Sequence, residues 1–169
     1  MSSDNVCNEK IYQSIFYDHS QAVLNFIWFK SGDKALAEDI LQEAFVRLWK
    51  NCQSVPFAKA KSFLYTVASN LFIDSTRKQK HANTYVDSQD AMKHESVTPQ
   101  AILEKNELKD RLQQAIKSLP AKQQEVFIMN RVDGHTYKEI AAILNISVKA
   151  VEKRMHNALV ALRKVTFEK

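Results

Sequence analysis

Lys149, Lys153, Arg154 and Asn157 recur at the three-to-four spacing of one helix flank within NISVKAVEKRMHNALVALRK. Lysine and arginine in that pattern can meet phosphates or guanine edges, and asparagine can read adenine. Ser147 and Ala150 share the surface. A second set lies in AKAKSFLYTVASNLFIDSTRKQK, where Lys59, Ser62, Thr66, Ser69, Asn70 and Arg77 follow one flank of a helix. Phe63, Leu64, Val67, Ala68 and Leu71 follow the other. A third set is acidic: Asp39, Gln42 and Glu43 stand three and four residues apart, opposite Ile40, Ala44 and Leu48. Such a patch repels DNA and suits a basic protein partner. This is the chemistry of recognition, not of bond making. No Ser/His/Asp, Cys/His, metal-ligand or glycine-rich phosphate constellation is visible, so neither an enzyme, a metal site, a cofactor nor a small-molecule substrate is expected.

The bulk sequence supports this. Of 169 residues, 45% are hydrophobic, while two glycines and three prolines argue against a turn-rich β fold. The net charge is +5 and unevenly spread. Residues 1–49 carry four basic and seven acidic side chains, residues 51–81 five and one, residues 82–107 two and five, and residues 148–169 six and two. Two basic segments separated by acidic ones suggest two nucleic-acid-facing surfaces and at least one for another partner. Cys7 and Cys52 show no metal-ligand spacing and make no disulfide framework. No apolar run approaches the ~18 residues of a membrane span, and no signal-peptide pattern opens the chain. A reduced, cytosolic, all-α protein is expected.

The elements that must position these residues follow from periodicity and punctuation. Helices are expected from Glu9 to Lys30, broken at Ser31-Gly32-Asp33, from Lys34 to Lys50 with an apolar face reaching Trp49, and from Ala58 to Lys80. Residues 81–98 lose the period and read as an acidic tether between two small domains, 1–80 and 99–169. Thr98-Pro99 restarts the helical pattern as far as Ser118. Pro120 begins a helix that stops at Asp133-Gly134. Thr136 with Glu139 makes a capping box, Asn145 a left-handed turn, and Ser147 a cap for the last helix. That helix carries the stripe Val148, Val151, Met155, Ala158, Leu162 and Val165. Two short helices joined by a tight turn, the second basic, form a helix-turn-helix.

From Leu119-Pro120 through Tyr137-Lys138-Glu139-Ile140-Ala141 to Val151-x-x-Arg154-Met155-x-x-Ala158-Leu159, the chain resembles region 4 of bacterial sigma factors. LuxR-type regulators share a similar Lys-Glu-Ile-Ala…Ile-Ser motif, so this half leaves two readings open. AEDILQEAFVRLW, Ala37 to Trp49, separates them, because it resembles region 2 of the extracytoplasmic-function (group IV) sigma factors of the sigma-70 class, with FecI-like and RpoE-like character. The resemblance runs from about Ile11 to Lys164.

This resemblance implies a transcription-initiation subunit without catalysis of its own. It implies core RNA polymerase docking, on the β′ clamp helices through Asp39, Gln42, Glu43, Val46 and Arg47, and on the β flap. It implies recognition and melting of the −10 element by Lys59, Lys61, Ser62, Phe63, Thr66, Asn70, Asp74, Arg77 and Lys78. It implies reading of the −35 element by Thr136, Ser147, Lys149, Ala150, Lys153, Arg154 and Asn157. Phe63 and Tyr65 are candidate walls for an extruded base, although aromatic residues at such spacing are more often core. The family's usual Trp and Arg flanking Leu-Tyr are Phe63 and Thr66 here, so no −10 base preference carries over. The resemblance also implies an anti-sigma factor as a further partner, of the membrane-bound FecR type. The tether, with Asp87, Asp90 and Glu95, is expected to thread the polymerase toward its RNA exit channel. The alternative, a LuxR-type helix-turn-helix regulator without polymerase docking, would need a phosphoacceptor βα domain or a dimer interface, and the first half offers neither pattern.

Overall fold

Several helices begin where a side chain or a proline accommodates free backbone N–H groups. The computed structural model describes residues 5–83 and 100–167. Asn8 caps α1 (Glu9–Ser31) by accepting from the Lys10 amide, and Asp33 caps α2 (Lys34–Lys50) by accepting from the Leu36 amide. Gly32 turns the chain between them at φ 70°, a left-handed backbone that glycine adopts without a Cβ penalty. One 3-10 turn, Phe57–Lys59, leads into α3 (Ala60–Asn83), which runs three residues past the expected Lys80. The tether acids Asp87, Asp90 and Glu95 and the Thr98-Pro99 start lie outside the described residues. The second half contains α4 (Gln100–Ser118), α5 (Ala121–Arg131), α6 (Tyr137–Leu144) and α7 (Val148–Phe167). Among the described residues there is no strand, and the fold is all-α in two helical domains.

In the first domain, α1, α2 and α3 enclose Val23, Phe26, Ile27, Ala37, Ile40, Ala44, Phe45, Leu48, Leu64 and Ala68. The Tyr12 hydroxyl locks α1 to α2 by donating to the Phe45 carbonyl at 2.7 Å. In the second, Ile116, Val126, Ile128, Met129, Ile140, Val151, Met155 and Ala158 are buried. Burying each of the larger side chains among these contributes about 1.5–3 kcal/mol, which small domains need.

Three expectations need correction. Cys7 and Cys52 are bonded to each other, with their Cα atoms 5.0 Å apart. The two are separated by 45 positions in sequence, so no local spacing announces the pair. Burial of Val6 and pairing of Asn5 with Pro56 bring the leading segment against the α2–α3 connection. The apolar face of α2 is incompletely covered at Trp49, which meets Tyr12 of α1 edge-on at 5.0 Å and is still 45% exposed. The α7 stripe is buried at Val151, Met155, Ala158 and Leu162, but Val148 and Val165 at its ends reach solvent where no neighbouring helix extends.

Candidate nucleic-acid interface

The α6–turn–α7 unit is built by local chemistry. Thr136 accepts from the Glu139 amide while Glu139 accepts from the Thr136 amide at 2.7 Å, closing the capping box. Those bonds, the backbone one first, hold the Glu139 carboxyl below its ordinary range. Asn145 takes the left-handed conformation, φ 53° and ψ 49°, and turns the chain through its amide bond to Ala141. Ser147 then caps α7 by accepting from the Ala150 amide at 3.1 Å. Val151 and Met155 pack α7 onto α5 and α6, which aims the opposite flank outward. Thr136, Ser147, Lys149, Lys153 and Asn157 are exposed, and Ala150 and Arg154 are half-buried beside them. An exposed cationic flank at the start of a helix is suited to phosphate contacts and to the major groove.

On α2, Asp39, Gln42, Val46 and Arg47 are exposed and Glu43 is partly so, all on the side away from α1 and α3. Arg47 donates to Glu43 at 2.9 Å, which offsets the charge of that carboxylate and leaves Asp39 as the more available acid of the group. Phe16, Val46 and Trp49 add exposed apolar surface nearby.

The α3 residues divide. Lys59, Thr66, Asn70, Asp74, Arg77 and Lys78 are exposed, whereas Lys61, Ser62 and Phe63 are half-buried. An open cleft of about 400 Å³ runs along Lys59, Ser62, Phe63 and Thr66, and its opposite wall is the end of α6, Ala142 to Asn145. Phe63 therefore lines that open cleft. Tyr65 borders a smaller cavity instead. It is 2% exposed, packs edge-on to Phe26 and donates to Asp133 at 2.8 Å, so it is a core residue.

A polar seam between the two domains has no counterpart in the sequence reading. The Lys30 ammonium, 4% exposed, donates to Glu125 Oε1 at 3.0 Å, and the Ser69 hydroxyl donates to the same oxygen at 2.8 Å. Burial lowers the Lys30 pKa and Glu125 opposes that shift. Around Tyr65, the hydroxyl lies 2.8 Å from Asp133 and 3.1 Å from His135 Nε2, and Lys61 lies 3.3 Å from His135 Nδ1. Every bond is satisfied if the phenol donates to Asp133 and accepts from Nε2–H, while Nδ1 accepts from Lys61. Burial pushes Asp133 up to about 7, against the pull of Tyr65 and Lys61. Burial first and Lys61 second push His135 down, and the same causes act on His19 of α1. Partners 56 to 95 residues apart leave no periodic trace in a sequence.

Comparison with known proteins follows this division. Residues 15–82 match the family model described as Sigma-70 region 2, and residues 109–162 match Sigma-70, region 4. The ECF RNA polymerase sigma factor SigW of Bacillus subtilis (strain 168) is 37% identical over 144 residues, covering 79% of this chain and 76% of that protein. SigM of the same organism is 33% identical over 157 residues, covering 91% and 93%. Among solved structures, CnrH in complex with the cytosolic domain of CnrY superposes with a TM-score of 0.70 at 19% identity, covering 98% of this chain and 97% of that one. RpoE in complex with the anti-sigma factor NepR from Bartonella quintana gives 0.68 at 21%, covering 95% and 99%. At such identities these two speak for the fold alone. The LuxR-type alternative gains no support, since the first half matches region 2.

Proposed function

The chain belongs to the sigma-70 family, among its extracytoplasmic-function RNA polymerase sigma factors, and on that premise we propose how its surfaces divide promoter recognition. It is an alternative sigma factor that directs transcription initiation. The exposed acidic-amide face of α2, with Asp39, Gln42, Glu43, Val46 and Arg47, docks on the β′ clamp helices of core polymerase. Domain boundaries near residues 80 and 99 separate this module from the one that meets the β flap and the −35 element. The observation that carries the reading is the outward cationic flank of α7, set beyond the Asn145 turn and backed by a buried stripe. Thr136, Ser147, Lys149, Ala150, Lys153, Arg154 and Asn157 form the −35 surface. Lys59, Lys61, Ser62, Phe63, Thr66, Asn70, Asp74, Arg77 and Lys78 hold and open the −10 element. Bond making belongs to the polymerase.

No helix among the described residues is long and apolar enough to cross a membrane, and a cytoplasmic location fits the role. An anti-sigma factor is the expected regulator. The superposable CnrH and RpoE were each solved with a partner, one of them a cytosolic domain, which accords with a membrane-bound inhibitor. The test is run-off transcription: purified protein added to core polymerase yields promoter-specific transcripts. Failure to bind core polymerase rejects the reading.

A further inference from the structure

The Cys7–Cys52 bond ties the leading segment to the α2–α3 connection, residues 51–59. Besides that bond, the segment is held by the buried Val6 side chain and by the pairing of Asn5 with Pro56. Ordering the backbones of Asn5, Val6 and Cys7 costs more entropy than one buried valine returns, so the covalent link decides whether the segment stays in place. The connection is closed by its own short turns, in which the Cys52 amide donates to Trp49 and the Ser54 and Val55 amides donate to Asn51. Its Ser54, Val55 and Pro56 form one wall of the cleft of about 400 Å³ that Lys59, Ser62 and Phe63 share. Both cysteines are half-buried, which leaves them within reach of a small solute. The cytoplasmic location proposed above keeps thiols reduced, and a disulfide there is transient rather than permanent.

We propose that Cys7 and Cys52 form a reversible thiol–disulfide exchange site for a low-molecular-weight disulfide of the glutathione class, and that its oxidised state clasps the α2–α3 connection. The two sulfurs are not equivalent. Cys7 precedes the Asn8 cap at the positive end of α1, where an anionic sulfur is stabilised. Cys52 follows the Asn51 cap at the negative end of α2, where it is not. The Cys7 thiolate therefore attacks first: its bond to one sulfur of RSSR forms as the S–S bond of RSSR breaks, and RS⁻ leaves. Cys52 then gives its proton to solvent and attacks the Cys7 sulfur, and the second RS⁻ leaves as the protein bond forms. The cysteines lose two electrons and two protons, and the small disulfide ends as two thiols. Excess thiol runs the sequence backwards and frees the leading segment. Only chains with the cleft wall in place then hold a single strand, so the apparent affinity falls by that fraction. This last consequence rests on the −10 reading of the cleft given above, and the exchange site itself does not.

The full chain is equilibrated with mixtures of reduced and oxidised glutathione at fixed pH. Alkylation and mass measurement count the thiols, hydrogen exchange follows the amides of residues 51–59, and a mixed-sequence single-stranded DNA at low salt reads the cleft. The pair is expected to pass from bonded to free within these mixtures. On reduction, exchange at 51–59 should quicken by about tenfold or more while the buried amides of α1, α2 and α3 keep their protection. Single-strand binding should weaken by about tenfold. Cys52→Ser should collect the mixed disulfide with glutathione at Cys7, and Cys7→Ser should collect far less at Cys52. A pair that stays bonded in millimolar reduced glutathione, or stays free in the oxidised mixture, overturns the exchange site. Loss of helix protection together with that of 51–59 also overturns it, since the bond is then a staple for the whole domain. Unchanged exchange at 51–59 overturns the clasp, and equal trapping at both cysteines overturns the order of attack. Faster exchange with single-strand affinity unchanged leaves the exchange site standing and overturns the −10 reading of the cleft.

Discussion

Asp133 shows how one buried residue ties the closed form to pH. Its carboxyl is raised by burial to about 7, so it favours closure while protonated and opposes it once ionised. That contribution is fully present below the ordinary carboxylate range and is lost as pH rises through about 7. His135 and His19 act with the opposite sign. Both are pushed below the ordinary imidazole value, so each favours closure while neutral, and their contribution falls away as pH drops through their depressed values. Closure is therefore strongest on the acid side of neutrality, where Asp133 still holds its proton and both imidazoles have lost theirs. Thermal midpoints measured across pH should fall on both sides, and Asp133→Asn should flatten the alkaline side, whereas an unchanged alkaline fall would show that Asp133 does not titrate there. Lys153 is a simpler residue, exposed on the outer flank of α7. Lys153→Ala should weaken binding of any duplex and reduce the slope of log affinity against log salt by about one. A loss confined to one sequence would make Lys153 a base reader instead. The outward faces of α7 and α2 were legible because exposure follows from the helical period. Tyr65 was not, since an aromatic beside Phe63 carries no mark saying which of the two meets a partner from the other domain.

At the scale of elements, the α6–turn–α7 unit was legible down to its caps, because caps are made by neighbours in sequence. Asn145 tests this. A residue with a Cβ and no side-chain amide is strained at φ 53°, so Asn145→Ala should cost about 1 kcal/mol or more, while Asn145→Gly should cost little. Chemical denaturation of the two variants checks the order, and equal loss in both would place the role of Asn145 in its side chain. The start of the first domain was misread, for a physical reason. Cys7 and Cys52 meet because the α1–α2 hairpin returns the chain to its own beginning, a consequence of packing across a separation of 45. Closing a loop of that length removes chain entropy from the unfolded state worth about 4 kcal/mol. A dithiol reductant, or Cys52→Ser, should lower the melting midpoint of the oxidised protein by roughly 10 °C. Melting that ignores reductant would show that the pairing adds nothing.

At the scale of the whole molecule, the two domains are joined across a polar seam whose buried centre is the Lys30–Glu125 ion pair. Breaking a buried ion pair costs about 3–5 kcal/mol, yet replacing both members with apolar groups of similar size is neutral or stabilising. Lys30→Met with Glu125→Leu should therefore hold the domains together, with thermal stability kept or raised. A lowered melting midpoint would show that the ion pair itself is what the seam needs. The sequence by itself determined the all-α class, the starts of α1, α2, α6 and α7, the turn at Asn145 and the cationic and acidic faces. Each of these is fixed by residues within a few positions of one another, where period and capping chemistry suffice. Only the tertiary structure decided that Cys7 meets Cys52, that Tyr65 is core and Trp49 is not, and that Lys30 and Ser69 share one oxygen of Glu125. Those contacts depend on how helices far apart in the chain pack, and packing geometry leaves no periodic signal in the residues it joins.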